Sequence, residues 1–464
     1  MATNLDAVAQ YLDKKKYNTI DKEYRSKIAT YKEWFVGYCK EFHDYKISAN
    51  NIQRTLKRYS LGMAKTVCED FATLLLNERT QINAKSFTAL PDILQDNRFY
   101  ERANRLIEWT MGLGTGAFVE FKDADENIII DYIRGDQIYP LNWDSDNITE
   151  CAFASARVFD KKQKGYYIQI HEKREGKYWI RNAWIKDTGE ELPPQGDTEP
   201  ESGPFDIPMF QIIRPNTVNS ADPESPMGMS VYGGAIDQLK ACDLIYDSYV
   251  NEFQLGKKRL MVPMGFAQMF LNDDGKYKQV FDPNDLIYNV YQVPDDAKDK
   301  LTAVDMTLRA EEHEKGLQRM IDLLSKRCGL GVGRYKFDSS MSPAKTATEI
   351  ISEDDDLYQS IKRHEKPLER ALVGMVQALS LLNGGSPDVD VSVEFDDAIF
   401  EDTGTIIKRN IELVGNSLRS KLDAIMQIDH CDEATARKKM EQIASEKMVE
   451  LPDVNALIDG GENA

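Results

Sequence analysis

The residues best able to do chemistry in this 464-residue chain are its carboxylates. Glu353-Asp354-Asp355-Asp356 and Asp396-Asp397 each set acidic groups side by side. Clusters of this kind can hold Mg²⁺ and support phosphodiester cleavage, the chemistry of a nuclease. That chemistry also calls for His, Lys or Arg at a recurring spacing, which neither cluster has. The simpler reading of the first cluster is an acidic helix start, because negative charge is favourable near a helix N-terminus. Asn272-Asp273-Asp274-Gly275 resembles a cation loop at first sight, but it lacks the spaced acidic ligands of an EF-hand and reads as a hairpin turn. Gly112-Leu113-Gly114-Thr115-Gly116 could suggest a phosphate loop. A phosphate loop needs Lys-Ser/Thr after its last glycine and then a helix. Here a strand pattern follows, so the glycines mark a helix-to-strand turn. No HExxH, GxSxG or Walker A motif occurs, and no Cys/His pair is placed for nucleophilic catalysis. The expectation is a chain with no catalytic residue, no metal and no cofactor.

Composition narrows the class further. The chain is long enough for about three domains. Apolar residues make up 42% and charged residues 29%, so it is expected to be soluble and folded. No apolar run reaches the roughly 20 residues of a membrane span, and the N-terminus carries no secretory pattern. Cys39, Cys68, Cys151, Cys242, Cys328 and Cys431 are scattered and never spaced as CxxC, which fits reduced thiols in a core. The net charge of −19 comes without a Lys/Arg cluster, so a docked, sequence-reading DNA interface is not expected.

The elements that position these residues follow from periodicity. The first ~85 residues read as helices, with Ile28, Tyr31, Trp34, Phe35 and Tyr38 in one face and Met63, Val67, Phe71, Leu74 and Leu75 in another. Residues 92–113 form a third helix. Residues 117–214 alternate as strands, with a polar loop over 189–204. Ser230 reads as the N-cap of a helix over 231–255. Ala235, Leu239, Cys242, Tyr246, Tyr249 and Phe253 fall on its alternating four-three seam. That run spans about 38 Å. A β-rich insert over 260–303 separates it from a second amphipathic helix, 307–328, on which His313 reads as solvated among charges. Gly329–Gly333 follows, then polar residues to Met341. Ser342-Pro343 opens a long helix to about Leu382, which Pro367 should kink. A strand over 389–395 and three C-terminal helices complete an α+β chain.

The ordered set of motifs resembles one family, the portal proteins of tailed bacteriophages, in particular those of phages of Gram-positive bacteria. Residues 63–78 (Met-Ala-Lys-Thr-Val-Cys-Glu-Asp-Phe-Ala, then Leu74 to Glu78) resemble its N-terminal helix. Residues 226–239 (Pro-Met-Gly-Met-Ser-Val-Tyr-Gly-Gly-Ala-Ile-Asp-Gln-Leu), running to Gly256-Lys257-Lys258-Arg259-Leu260-Met261-Val262-Pro263, resemble its first stem helix and the start of its clip. Lys345-Thr346-Ala347-Thr348-Glu349-Ile350 resembles the Thr-Ala-Thr-Glu signature of its long helix, and Val393-Glu394-Phe395-Asp396-Asp397 its crown region.

The resemblance implies a portal-type fold: a mixed helical/β wing (1–229), a two-helix stem (230–258 and 306–328), a small α/β clip (259–305), a tunnel loop (329–341), a long kinked wing helix (342–385), a helical crown (386–450) and a flexible tail (451–464). It implies a homo-oligomeric ring, commonly a dodecamer, at one capsid vertex of the virion, assembled in the host cytoplasm. Through this ring terminase packages the genome, and DNA later leaves. Implied partners are terminase, capsid and scaffolding proteins, head-completion or tail adaptor proteins, and double-stranded DNA held non-specifically, with no membrane. Carried onto this sequence, Arg334, Lys336 and Lys345 would face the DNA channel. Asn272, Asp273, Asp274 and Lys276 would sit on the clip that docks terminase or connector. Leu239, Tyr246, Tyr249 and Phe253 would pack between subunits, and Pro367 would set the helix kink. Two alternatives remain at this point: a Mg²⁺-dependent nuclease or other DNA-packaging enzyme using the carboxylate clusters, and an oligomeric scaffold unrelated to DNA.

Overall fold

The computed structural model describes residues 5–20, 22–49, 52–77, 79–123, 125–159, 163–194, 200–255, 259–263, 269–271, 277–279, 288–291, 302–304, 307–336, 347–395, 403–429 and 433–449. The chain divides into two compact units, Met1–Phe395 and Asp396–Ala464.

The first unit begins with helices α1 (Leu5–Lys14), α2 (Lys22–Val36) and the single turn α3 (Lys40–His43). A hairpin follows, β1 (Asp44–Ala49) and β2 (Ile52–Lys57), and then α4 (Met63–Leu75) and β3 (Gln81–Ala84). The hairpin and β3 depart from the all-helical expectation for this region. In 44–57 polar and charged residues dilute the alternation that would mark strands. The expected helix over 92–113 is two helices, α5 (Leu90–Asp96) and α6 (Phe99–Leu113). The break is chemical. Asn97 donates from Nδ2 to the carbonyls of Ile93 and Ile128, both at 2.9 Å, and accepts the Ile130 amide at 2.8 Å. An asparagine that bonds the backbone in this way competes with helix continuation, and Arg98 takes a left-handed φ of 47°.

Strands β4 (Gly116–Lys122), β5 (Ile128–Arg134), β6 (Ile138–Asp144), β7 (Asn147–Phe159), β8 (Gln163–Arg174), β9 (Lys177–Lys186), β10 (Glu191–Leu192), β11 (Glu201–Phe205) and β12 (Phe210–Ile213) come next. These nine strands form two sheets. One is a meander in the order β10-β9-β8-β7-β6, with β11 also on β9; the other is β12-β4-β5. Residues expected as a polar loop therefore add β10 and β11 to the outer edge of β9, because an open edge offers unpaired backbone groups. Helix α1 lays Val8, Tyr11 and Leu12 on the meander, against Tyr139, Ala152, Ile168, Ile170 and Ile185.

Helix α7 (Ile236–Leu255), the insert strands β13 (Arg259–Pro263), β14 (Met269–Leu271), β15 (Tyr277–Gln279), β16 (Tyr288–Tyr291) and β17 (Thr302–Val304), and helix α8 (Ala310–Cys328) follow. β13 pairs in parallel with β16 and antiparallel with β17, and β14 pairs with β15. Helix α9 (Ala347–Leu382) is 36 residues long and runs through Pro367. Proline removes the N–H that would bond the carbonyl four residues back. That carbonyl, on Arg363, instead accepts Asn216 Nδ2 at 2.8 Å, and the Asn216 amide donates to His364 Nδ1 at 2.9 Å. β18 (Val391–Glu394) pairs with β3. This strand lies within the first unit. In the second unit α10 (Thr403–Gly415), α11 (Lys421–Asp429) and α12 (Glu433–Val449) pack in sequence. There Arg419 donates to the buried Asn410 at 2.8 Å.

Two core histidines make the first unit acid-sensitive. His171 is enclosed edge-on by Phe153 and Phe210, and burial lowers its pKa to about 3. His364 sits against Phe71, and burial followed by the Arg363 charge lowers it to about 4. An unfolded histidine takes its proton near pH 6.5. The stability each contributes is thus fully present above about pH 6.5 and is lost as pH falls towards 4 and then 3, with a limiting slope of about 1.4 kcal/mol per pH unit per site. Urea unfolding at pH 7 and pH 5 is expected to show this loss, and His171→Phe to reduce it. Parallel pH profiles for variant and wild type would contradict the assignment.

Candidate functional site

The chain entering α7 is rooted in the first unit by a close crossing of backbones. Helix α6 ends at Gly114, φ 86°, and the chain before α7 passes directly over it. A Cβ on Gly114 would lie 2.1 Å from the Gly228 carbonyl oxygen, and one on Gly228 would lie 2.2 Å from that of Gly114. Only glycine fits at both positions. The Gly228 amide donates to Thr115 Oγ1 at 3.0 Å and the Val231 amide to the Met111 carbonyl at 3.0 Å. The Gly112–Gly116 segment is therefore the turn over which the chain entering α7 passes. Ser230 is buried; its Oγ donates to the Met111 carbonyl and accepts the Tyr232 amide. It does not cap α7. Gly233-Gly234 has little helix propensity, so a 3₁₀ turn, Gly233–Ala235, intervenes before the helix begins at Ile236.

Along α7 the seam is buried at its root and opens towards its far end. Ala235, Leu239 and Cys242 are buried, Tyr246 and Tyr249 are half-buried, and Phe253 is 48% exposed. Helix α8 packs against α7, burying Leu317, Ile321, Leu324 and Cys328. At the end where the insert joins, Glu252 on α7 accepts Arg309 Nε at 3.1 Å and Nη2 at 2.8 Å. The Arg309 guanidinium holds the Glu252 carboxyl down at about 2. His313 stacks on Tyr249, with ring centroids 5.6 Å apart, and lies 3.7 Å from Glu252. It is a packed residue rather than the solvated one expected.

Two carboxylates on α7 that no motif in the sequence marks hold the helix to the N-terminal region. Asp243 Oδ2 meets His43 Nε2 and Ser60 Oγ, both at 3.0 Å, and its Oδ1 accepts the Leu61 amide at 2.7 Å. Asp247 accepts the Tyr59 amide at 3.0 Å. His43 and Asp243 are both buried. Two like charges one turn apart repel on a solvated helix face. Their spacing was thus a usable signal that donors from elsewhere would satisfy them.

The segment after α8 folds back along it. The Gly329 amide bonds the Lys326 carbonyl and the Leu330 amide the Ser325 carbonyl, the paired bonds of a Schellman motif, with Leu330 buried beneath. Gly329, Gly331 and Gly333 all have positive φ. The turn brings Tyr335 back to α8, where Gln318 donates to its carbonyl at 2.7 Å. Arg334 Nε lies 3.2 Å from Asp70 Oδ2 on α4. Burial and the same Asp70 push the Tyr335 phenol above its usual range.

The structure thus brings Leu239, Tyr246, Tyr249 and Phe253 onto one helix and places Arg334 in an ion pair with Asp70, while Lys336 is exposed. Lys345, Asn272, Asp273, Asp274 and Lys276 lie outside the described residues, as do Asp396 and Asp397. Among the described residues no group of three or more His, Cys, Asp and Glu is placed to hold a metal ion, and no helix is long and apolar enough to cross a membrane. Cys39, Cys68, Cys151, Cys242 and Cys328 are buried free thiols.

Residues 10–451 match the family described as phage portal protein, SPP1 Gp6-like. The chain belongs to this family of phage portal proteins. The portal protein is also similar to a chain in the solved neck of a native GTA particle computed with C12 symmetry, at 11% identity and a TM-score of 0.35, covering 79% of this chain and 88% of that one. No curated protein matches the sequence. Portal proteins are structural parts of the phage particle, so the family does not favour the nuclease alternative. In this portal the α7–α8 pair corresponds to the stretch read as stem.

Proposed function

We propose that copies of this portal protein close into a ring, commonly of twelve, at one capsid vertex, and that α7 and α8 surround the channel for DNA. The observation that carries the reading is the unburied apolar surface of the stem pair. Leu244 and Phe253 on α7 are each 48% exposed, Leu323 on α8 is 42% exposed and Leu308 just before it 41%. Large apolar side chains left exposed along one helix pair call for cover. A closed ring of head-to-tail contacts supplies it from neighbouring subunits.

On this reading 259–305 is the clip that meets terminase and later the head-completion or tail adaptor proteins. Residues 329–341 form the tunnel loop, 386–450 contribute to the crown, and α9, bent at Pro367, links channel to periphery. Capsid and scaffolding proteins contact the wing, and assembly takes place in the host cytoplasm. A net-negative wall lets DNA slide, because few phosphates are neutralised and few counterions released. Lys336 and Lys345 make brief phosphate contacts, joined by Arg334 when it leaves Asp70. Neutralising all three (Arg334→Gln, Lys336→Gln, Lys345→Gln) is expected to lower DNA retention in filled heads while rings still form. Unchanged packaging and retention would remove the loop from the mechanism.

A further inference from the structure

The hairpin β1–β2 is exposed along most of its length, and its root is held by the chain just before it, where the Tyr38 hydroxyl donates to Asp44 and Lys57 covers the Tyr38 ring. Every residue from Lys46 to Ser48 and from Gln53 to Lys57 is exposed, on both faces, and among the described residues its main neighbour is the short helix α3. The register puts Tyr45, Ile47, Arg54 and Leu56 on one face and Asp44, Lys46, Ser48, Gln53, Thr55 and Lys57 on the other. Ile47 is 39% exposed and Leu56 37%. Lys46, Arg54, Lys57 and Arg58 outnumber the one acid, Asp44, in a chain of net charge −19.

The ribbon is anchored at its root. The Arg58 amide bonds the His43 carbonyl at 2.9 Å, and the Arg58 guanidinium covers the Tyr45 ring at 4.4 Å. The next residues, Tyr59 to Leu61, are the ones fastened to Asp247 and Asp243 on α7. A two-stranded ribbon alone in water is marginally stable. This one has a fixed base, open edges, an apolar stripe and a charge opposite to that of the rest of the molecule.

We propose that the β1–β2 ribbon is an arm that docks on a second copy of this chain, the proposal resting on the ring reading above. Charge selects the occupant: the acidic surface of another copy complements the basic ribbon, and an arm on one flank received by a different surface is the head-to-tail contact a ring requires.

The test uses the full chain. Ile47→Thr/Leu56→Thr removes the apolar stripe while keeping β-forming residues, and Lys46→Glu/Arg54→Glu reverses the charge. Native mass spectrometry across a dilution series is expected to show the wild-type oligomer persisting to concentrations about tenfold lower than either variant. Circular dichroism is expected to show unchanged folding. In mixed ¹⁵N/¹⁴N oligomers, Lys46 is expected to cross-link to the other isotopic copy. Variants that assemble like wild type, or cross-links within one copy alone, would overturn the arm while leaving the ring reading intact. A wild-type chain that stays monomeric would overturn both. Unchanged assembly with weaker binding of duplex DNA would assign the ribbon to DNA instead.

Discussion

Replacing Asp243 by alanine is expected to destabilise the first unit by about 3–5 kcal/mol, the cost of removing one partner from a buried, fully bonded polar cluster. Three donors converge on this carboxylate: His43 Nε2, Ser60 Oγ and the Leu61 amide. In alanine all three would lose their acceptor, His43 in a fully buried place and Ser60 and Leu61 in half-buried ones. Asp243→Asn keeps an acceptor for Leu61 but turns an amide donor towards His43 or Ser60, so a smaller loss is expected. Urea unfolding followed by tryptophan fluorescence reports on the site, since the Trp34 ring is 5.5 Å from that of His43. An alanine variant within 1 kcal/mol of wild type, on the scale of an ordinary surface change, would show that the cluster is rearranged or hydrated and does not seat the stem.

The second large effect has the opposite sign. Glu120 on β4 is buried, and neither of its carboxyl oxygens has a hydrogen-bond partner. The Tyr132 hydroxyl, on the same face of the adjacent β5, is likewise buried without one. Burial pushes the Glu120 carboxyl well above the usual range, so the folded chain holds this proton while the unfolded chain gives it up. A folded-state pKa raised in this way means that stability is greatest below the ordinary carboxylate range and falls as pH rises above it, by up to about 1.4 kcal/mol per pH unit. Glu120→Leu removes both the titration and the orphaned oxygens and is expected to stabilise by about 1–3 kcal/mol, the cost of an unsatisfied buried polar group. Its advantage should grow from pH 5 to pH 8. Glu120→Gln removes the titration alone and should flatten the pH profile with less gain. An advantage independent of pH, or a loss of stability in Glu120→Leu, would refute the reading. The effect runs against that of His171 and His364 over the same pH range, so Glu120→Leu is also expected to sharpen the loss of stability between pH 7 and pH 5.

Much of the architecture was legible because periodicity is a local property. The Met63–Leu75 helix, strands β7, β8 and β9, α8 and the long helix α9 fall close to where their apolar spacing puts them. The misses have local causes that tertiary structure decides. β1 and β2 carry so much charge that their alternation is faint, and they form no core. The split between α5 and α6 depends on Asn97 finding the backbone of β5, a partner some 30 residues away in sequence. At the stem, the heptad spacing located the seam but could not show that its root is buried in the body while Phe253 stands exposed. The basic residue nearest the Gly-rich turn, Arg334, was legible as a cation; that Asp70 of α4 holds it was not, because nothing in the spacing of positions 70 and 334 links them.

Membership of the portal family gives the class of the protein; the ring around a channel is the proposal that the exposed apolar residues of α7 and α8 support. The most direct measurement is electron cryomicroscopy of the purified full-length chain. Closed rings, commonly twelvefold, are expected, with a central hole wide enough to pass a DNA duplex, lined by α7 and α8, the exposed side chains of Leu244, Phe253 and Leu323 being covered by the neighbouring subunit. Monomers, or closed oligomers in which α7 and α8 lie on the outside and those side chains remain exposed, would contradict it.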